Sequence, residues 1–163
     1  MTPAELQTLV TALRASADTN IQSMIAPATR NDNALVEYLN AKATTPVVKV
    51  WRTSVPTNDS DDAPDYSSYD TLAAGKRDSW SLFLRTSRDF TRNKVRKWIT
   101  DVWGNATAGT NAEAILLVGV ENATRAEALL GGTDTTTGTV TASKRNWTGL
   151  VDLQELSTAL SKP

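Results

Sequence analysis

Apolar side chains recur at helical spacing along this chain, but only in short runs that each meet a stop. Leu6, Leu9, Val10 and Leu13 fall at i, i+3, i+4 and i+7, which lines them along one helix face. Val95, Trp98, Ile99 and Val102 repeat that spacing, and Gly104 follows them as a C-terminal stop. Stripes this short bury themselves by packing several helices together. No heptad series is long enough for a coiled coil, and no internal repeat is present.

Boundary signals frame the stripes. Thr2, Pro3 and Glu5 form an N-cap, a first-turn proline and a capping-box carboxylate. Asp18, Thr19 and Asn20 interrupt the first helix, and a second is expected from Asn31 or Asp32 with Leu35, Val36 and Leu39 inward. Tyr69 to about Ser87 reads as helix through Leu72, Trp80, Phe83 and Leu84, with Gly75 its weak point. Asn111 to Gly131-Gly132 reads as one strong helix with a close helix crossing at Gly119. A last short helix starts at Asp152, where Glu155 completes a second capping box.

Two stretches depart from helical spacing. Residues 45–56 are β-branched and bracketed by Pro46 and Pro56, so they are expected to be extended. The Thr- and Gly-rich run 133–143 reads as a flexible loop or a short hairpin arm, being rich in strand formers and poor in helix formers. The expectation is a mainly α protein: a small helical bundle with extended arms and a short β-hairpin. It forms a single domain, 1–163, with an extended segment over 45–68 and a Thr-rich loop over 132–148.

Composition narrows the chemistry. Of 163 residues, 40% are hydrophobic and 21% charged, a globular balance that supports a real core. The five tryptophans, Trp51, Trp80, Trp98, Trp103 and Trp147, are expected to anchor the core or a subunit contact. Net charge is −1, which gives no overall footprint for nucleic acid or membrane. There is no apolar run near the ~20 residues of a spanning helix. The opening Met1-Thr2-Pro3-Ala4-Glu5 is acidic rather than signal-like, so folding in a cytoplasm is expected. The chain has neither cysteine nor histidine, which removes disulfides, thiolate nucleophiles, Ser–His and Cys–His pairs, and histidine metal sites. No catalytic residues, cofactor or metal site are assigned, and the chain is not expected to be an enzyme.

Charge is distributed unevenly. Lys76, Arg77, Arg85, Arg88, Arg92, Lys94, Arg96 and Lys97 crowd eight of seventeen basic residues into one stretch. With Phe90 and Trp98 beside them, phosphate contacts and base stacking are one reading. A solvated or subunit-contact face is the plainer one, because Val95, Trp98, Ile99 and Val102 already form the inward stripe. Just upstream lie Asp59, Asp61, Asp62 and Asp65, a negative loop that could meet the positive helix of the next chain. Pairing within one chain explains the same charges equally well. As a calcium loop the run fails, since Ala63 and Pro64 occupy positions that need a ligand and a glycine.

The order Val50-Trp51-Arg52-Thr53-Ser54-Val55, then Tyr69-Asp70 with Leu72, then Gly75-Lys76-Arg77 with Trp80, resembles a family of small virion proteins of tailed bacteriophages. Ala123-Thr124-Arg125-Ala126-Glu127 and Gly149-Leu150-Val151 before the last helix fit the same pattern. The resemblance runs over about residues 1–160 and points to head-to-tail connectors, or adaptors, of the phage neck. It implies a helical structural protein forming a homo-oligomeric ring, commonly a dodecamer, that docks on the portal protein, contacts tail or neck proteins and extends the DNA channel. The implied place is the virion, after synthesis in the bacterial host. On this reading Trp51, Arg52, Arg85, Arg88, Arg92, Arg96, Asp61, Asp62 and Asp65 are the candidate interface residues. The alternatives are a tail-completion or minor capsid protein, and a nucleic-acid-binding protein using the basic 85–97 segment.

Overall fold

At the N-terminus the Thr2 side chain accepts the Glu5 amide, and the Glu5 carboxylate accepts the Thr2 amide at 2.7 Å. That reciprocal cap satisfies two donors the first turn would otherwise leave unpaired. The computed structural model describes Met1–Lys162. In chain order it has α1 (Pro3–Ala15), α2 (Thr19–Ile25), α3 (Asp32–Asn40), β1 (Lys49–Trp51), α4 (Thr57–Asp62), a 3₁₀ turn (Tyr66–Thr71), α5 (Ala74–Phe83), α6 (Asn93–Trp103), α7 (Asn111–Val118), β2 (Val120–Asn122), α8 (Arg125–Leu130), β3 (Gly132–Thr137), β4 (Val140–Arg145) and α9 (Leu153–Leu160).

The expected mainly α bundle is overturned. The fold is α/β, 52% helix and 14% strand, with a four-stranded mixed sheet in the order β2-β1-β4-β3. β1 and β4 run parallel, with Val50 opposite Ser143. Three of these strands, β1, β3 and β4, come from segments read as extended or as a hairpin arm. The fourth, β2, lies inside the stretch read as one long helix. That helix ends because Gly119 caps α7 and Thr124 starts α8 anew, through a capping box with Glu127. The sheet also departs from the helical core that the phage resemblance implies. The acidic run taken as loop is wound instead into α4 and the 3₁₀ turn. α2 is a further helix, started by Asp18, whose side chain accepts the Asn20 amide.

Packing divides the chain into two compact units, where the sequence reads as one domain. The first holds residues 1–48, 122–133 and 145–163, and its described residues include α1, α2, α3, α8 and α9. Its core is aliphatic: Leu9, Leu13, Ile21, Leu35, Leu39, Ala126 and Leu156 are fully buried or nearly so, with Trp147 at the margin. The second holds residues 49–121 and 134–144 and is aromatic. Trp80 and Phe83 stack at 4.9 Å, and Trp103 meets Trp80 edge-on at 5.4 Å. Phe83 meets Trp98 edge-on at 5.3 Å. Burying each such ring contributes about 2–3 kcal/mol.

Gly119 accounts for the close approach that its position suggests, but the neighbour is not a helix. A Cβ there would lie 1.8 Å from the Phe90 ring, and the Gly119 carbonyl accepts the Arg52 amide at 2.8 Å.

Candidate functional site

The second unit carries all nine candidate interface residues, and the structure separates those used internally from those that face solvent. Trp51 sits on β1 with no exposed surface. Its Nε1–H donates to Thr135 Oγ1 at 2.8 Å, and the Arg96 guanidinium lies 4.7 Å over its ring. Arg96, on α6, is only 3% exposed. It donates from Nη1 to the Phe90 carbonyl at 2.5 Å and from Nε to Thr137 Oγ1 at 3.1 Å. Burial pulls its affinity for the proton down, against the opposing charge of Asp89; a guanidinium stays charged regardless.

Arg88 is turned inward too. Its Nε and Nη2 donate to the Phe83 and Leu82 carbonyls at 2.8 and 2.7 Å, and its guanidinium lies over the Phe83 and Trp98 rings. A cation closing the carbonyl end of α5 suits the helix dipole. Arg52 bridges Asp59 Oδ2 and the Val118 carbonyl, each at 3.0 Å. Asp59 of the acidic run is thus paired within the chain by Arg52, which lies outside the basic stretch 76–97.

The remaining candidates reach the surface. Arg92, 74% exposed, holds Asp89 at 3.0 Å. Arg85 is exposed, as are Lys76 and Lys94, and among the described residues their side chains have no hydrogen-bond or ion-pair partner. On the acidic side, Asp61 accepts the Tyr66 hydroxyl. Asp65 accepts the amide and hydroxyl of Ser67 at 2.9 and 2.8 Å, and these bonds hold its carboxyl below the usual range. Asp62 is exposed and has no side-chain partner among the described residues. One unit thus presents negative charge at the end of α4 and positive charge along α5 and α6. Asp78 on α5 and Asp101, which takes Lys97 at 2.5 Å, temper the latter.

A polar cluster that sequence reading missed lies in the first unit. The Arg125 guanidinium stacks 4.0 Å over the Tyr38 ring and donates to the Tyr38 carbonyl at 3.1 Å. The Tyr38 hydroxyl donates to Asp18 Oδ2 at 2.7 Å. Burial pushes the Asp18 carboxyl up, but the Tyr38 hydroxyl and the α2 amides outweigh it, so the net shift is downward. Asp18 and Arg125 border a cavity of about 270 Å³ whose other walls include Ile21, Pro46, Val48 and Leu129. The three polar groups bond to one another and tie the start of α2 to α3 and α8. Nothing in the spacing of residues 18, 38 and 125 announces this, because it depends on how three helices meet.

Among the described residues no group of three His, Cys, Asp or Glu side chains is placed to hold a metal ion, and no helix is long and apolar enough to cross a membrane. Comparison with protein-family models, curated protein sequences and solved structures finds no match to the chain.

Proposed function

We propose that this chain is a non-enzymatic structural protein of a tailed bacteriophage, assembled as a ring at the head-to-tail interface and docking on the portal. The observation that supports this is the separation of unneutralised charge within one unit. Asp62, with Asp61 beside it, stands at the end of α4, while Lys76, Arg85 and Lys94 stand on or between α5 and α6. A head-to-tail contact uses two different patches of the same molecule and propagates until it closes. Opposite charges on those patches orient the encounter and speed it, and salt screens them. Trp51, Arg88 and Arg96 support the ring indirectly, by fixing the surfaces their own unit presents.

The test is the mass of the full chain in solution, alone and then mixed with portal rings, at low and at raised salt. The expected result is a discrete mass gain of whole rings on the portal that weakens with salt. Replacing Asp61 and Asp62 by Lys should block the gain, and adding Arg85→Glu and Lys94→Glu should recover part of it. No association with portal at any salt overturns the docking. Binding to tail components instead would indicate a tail-completion role. Steeply salt-dependent DNA binding lost in Arg85→Glu and Lys94→Glu would indicate a nucleic-acid protein.

A further inference from the structure

We propose that the outer edge of β3 is a pairing surface for a second copy of this chain, giving a twofold dimer through Asp134–Thr137. β3 is the end strand of the sheet, with β4 its one neighbour. The two strands are joined by Gly138 and Thr139 alone, and a two-residue connection makes them antiparallel. Gly138 has φ 63° while no non-glycine residue has positive φ, the combination of a II′ turn. Such a turn makes Thr137 and Val140 a hydrogen-bonded pair, so Thr135 and Ala142 are the next one. Thr136 with Thr141 and Asp134 with Ser143 are then the non-hydrogen-bonded pairs, whose side chains come closest. The side chains agree, since Thr136 and Thr141 hydroxyls lie 2.8 Å apart and Ser143 Oγ bonds to Asp134.

It follows that the amide and carbonyl groups of Asp134 and Thr136 point away from β4. Among the described residues neither has a backbone partner outside the sheet. This edge carries none of the usual protections: it has no lysine and no proline, and Asp134 is its one charge. It is also held firm from both faces. Thr135 takes the Trp51 indole and Thr137 takes Arg96 on one, while Asp134 and Thr136 bond to β4 on the other.

A second copy fits this edge in one register. Antiparallel pairing centred on Thr135 sets Asp134 of each copy against Thr136 of the other, so both outward-facing residues of both strands exchange their amide and carbonyl bonds. It also keeps the two Asp134 carboxylates from facing each other, which a register slipped by two residues toward the strand's start would not. A dimer of this kind closes on itself. It is a state of the free chain, distinct from the head-to-tail ring contact, and does not depend on that reading.

The register makes the test specific. Sedimentation velocity of the full chain across a concentration series should show a monomer–dimer equilibrium. Thr136→Pro removes an outward amide that β4 does not use and should abolish the dimer. Thr136→Asp places two like-charge pairs across the twofold and should weaken it roughly tenfold, whereas Thr136→Lys faces Asp134 of the other copy and should tighten it by a similar factor. Circular dichroism and urea midpoints check that each variant folds. Asp61→Lys with Asp62→Lys should leave the dimer unchanged, which separates it from the ring contact. A monomer at every concentration overturns the proposal, and so does a dimer indifferent to Thr136→Pro and Thr136→Asp. A monomer whose binding to portal is lost in Thr136→Pro also overturns it, and would assign the edge to a partner's strand.

Discussion

The Arg96 guanidinium lies 4.7 Å over the Trp51 ring, with both side chains essentially buried. Arg96 also saturates the Phe90 carbonyl and Thr137, so a single residue on α6 fastens β1, β3 and the segment before α6. Its charge costs less to bury because an aromatic face and a carbonyl oxygen replace the lost water.

Arg96→Ala is therefore expected to destabilise the protein strongly. The lost cation–π contact accounts for about 1 kcal/mol and the orphaned Phe90 carbonyl for about 1–3 kcal/mol. Arg85→Ala, at an exposed position, should stay within about 0.5 kcal/mol of the parent. Urea denaturation followed by tryptophan fluorescence compares the two. Similar midpoints for both variants would remove Arg96 from the core.

In the first unit, Arg145 Nη1 donates to Glu127 Oε1 at 2.7 Å, with side chains 10% and 3% exposed. Glu127 Oε2 meanwhile accepts the Thr124 amide. Glu127→Gln keeps an acceptor for the cap but removes the charge opposite Arg145, and breaking a buried pair on one side costs about 3 kcal/mol. Replacing both, Glu127→Gln with Arg145→Met, should recover part of that loss. Thermal melts of the two variants decide it: a double mutant no more stable than the single would show that the charge is not what matters.

Legibility followed how local each signal is. Thr2 with Glu5, Asn31 before Leu35, and Gly104 after Val102 are read within a few residues, and the structure places caps at all three. The hairpin was visible as one of two options because Gly138 interrupts a threonine run that disfavours helix. The misreadings arose where tertiary contact outweighed periodicity. Ile115 to Leu130 keeps helical spacing throughout, but Gly119 yields to the Phe90 ring and the next three residues join the sheet as β2. The same holds for the interface candidates. Trp and Arg suit interfaces and cores alike, and only folding decides that Trp51 and Arg96 meet each other while Arg85 meets water.

Gly119→Ala isolates that steric effect. The residue has an ordinary φ of −75°, so no backbone penalty accompanies the added methyl, whose carbon would lie 1.8 Å from the Phe90 ring. Overpacking of this kind costs about 1–3 kcal/mol. In a double-mutant cycle with Phe90→Leu, the cost of Gly119→Ala should fall, because the ring it strikes is gone. Strict additivity in urea unfolding would place the strain elsewhere.

Tyr66 gives the alkaline limit of the aromatic unit. Its hydroxyl donates to Asp61 and accepts Trp80 Nε1–H at 3.1 Å. Burial first, and then the bond to the Asp61 carboxylate, push the phenol up to about 12, against an opposing contribution from Trp80. An unfolded tyrosine titrates near ~10. The folded group holds its proton more tightly, so its contribution to stability is fully present below the unfolded value. That contribution is lost as pH rises from there through the folded value. Tyr66 is 41% exposed, so solvent screening keeps the stability change small and the titration itself is the better readout. The 295 nm absorbance of the parent minus that of Tyr66→Phe isolates this phenol, and its midpoint should lie well above that of a free tyrosine. In Asp61→Asn the midpoint should move down toward the ordinary value, since the negative charge facing the phenolate is removed. An isolated midpoint near that of free tyrosine in the parent, or no response to Asp61→Asn, would mean that the Tyr66–Asp61 bond does not persist in solution.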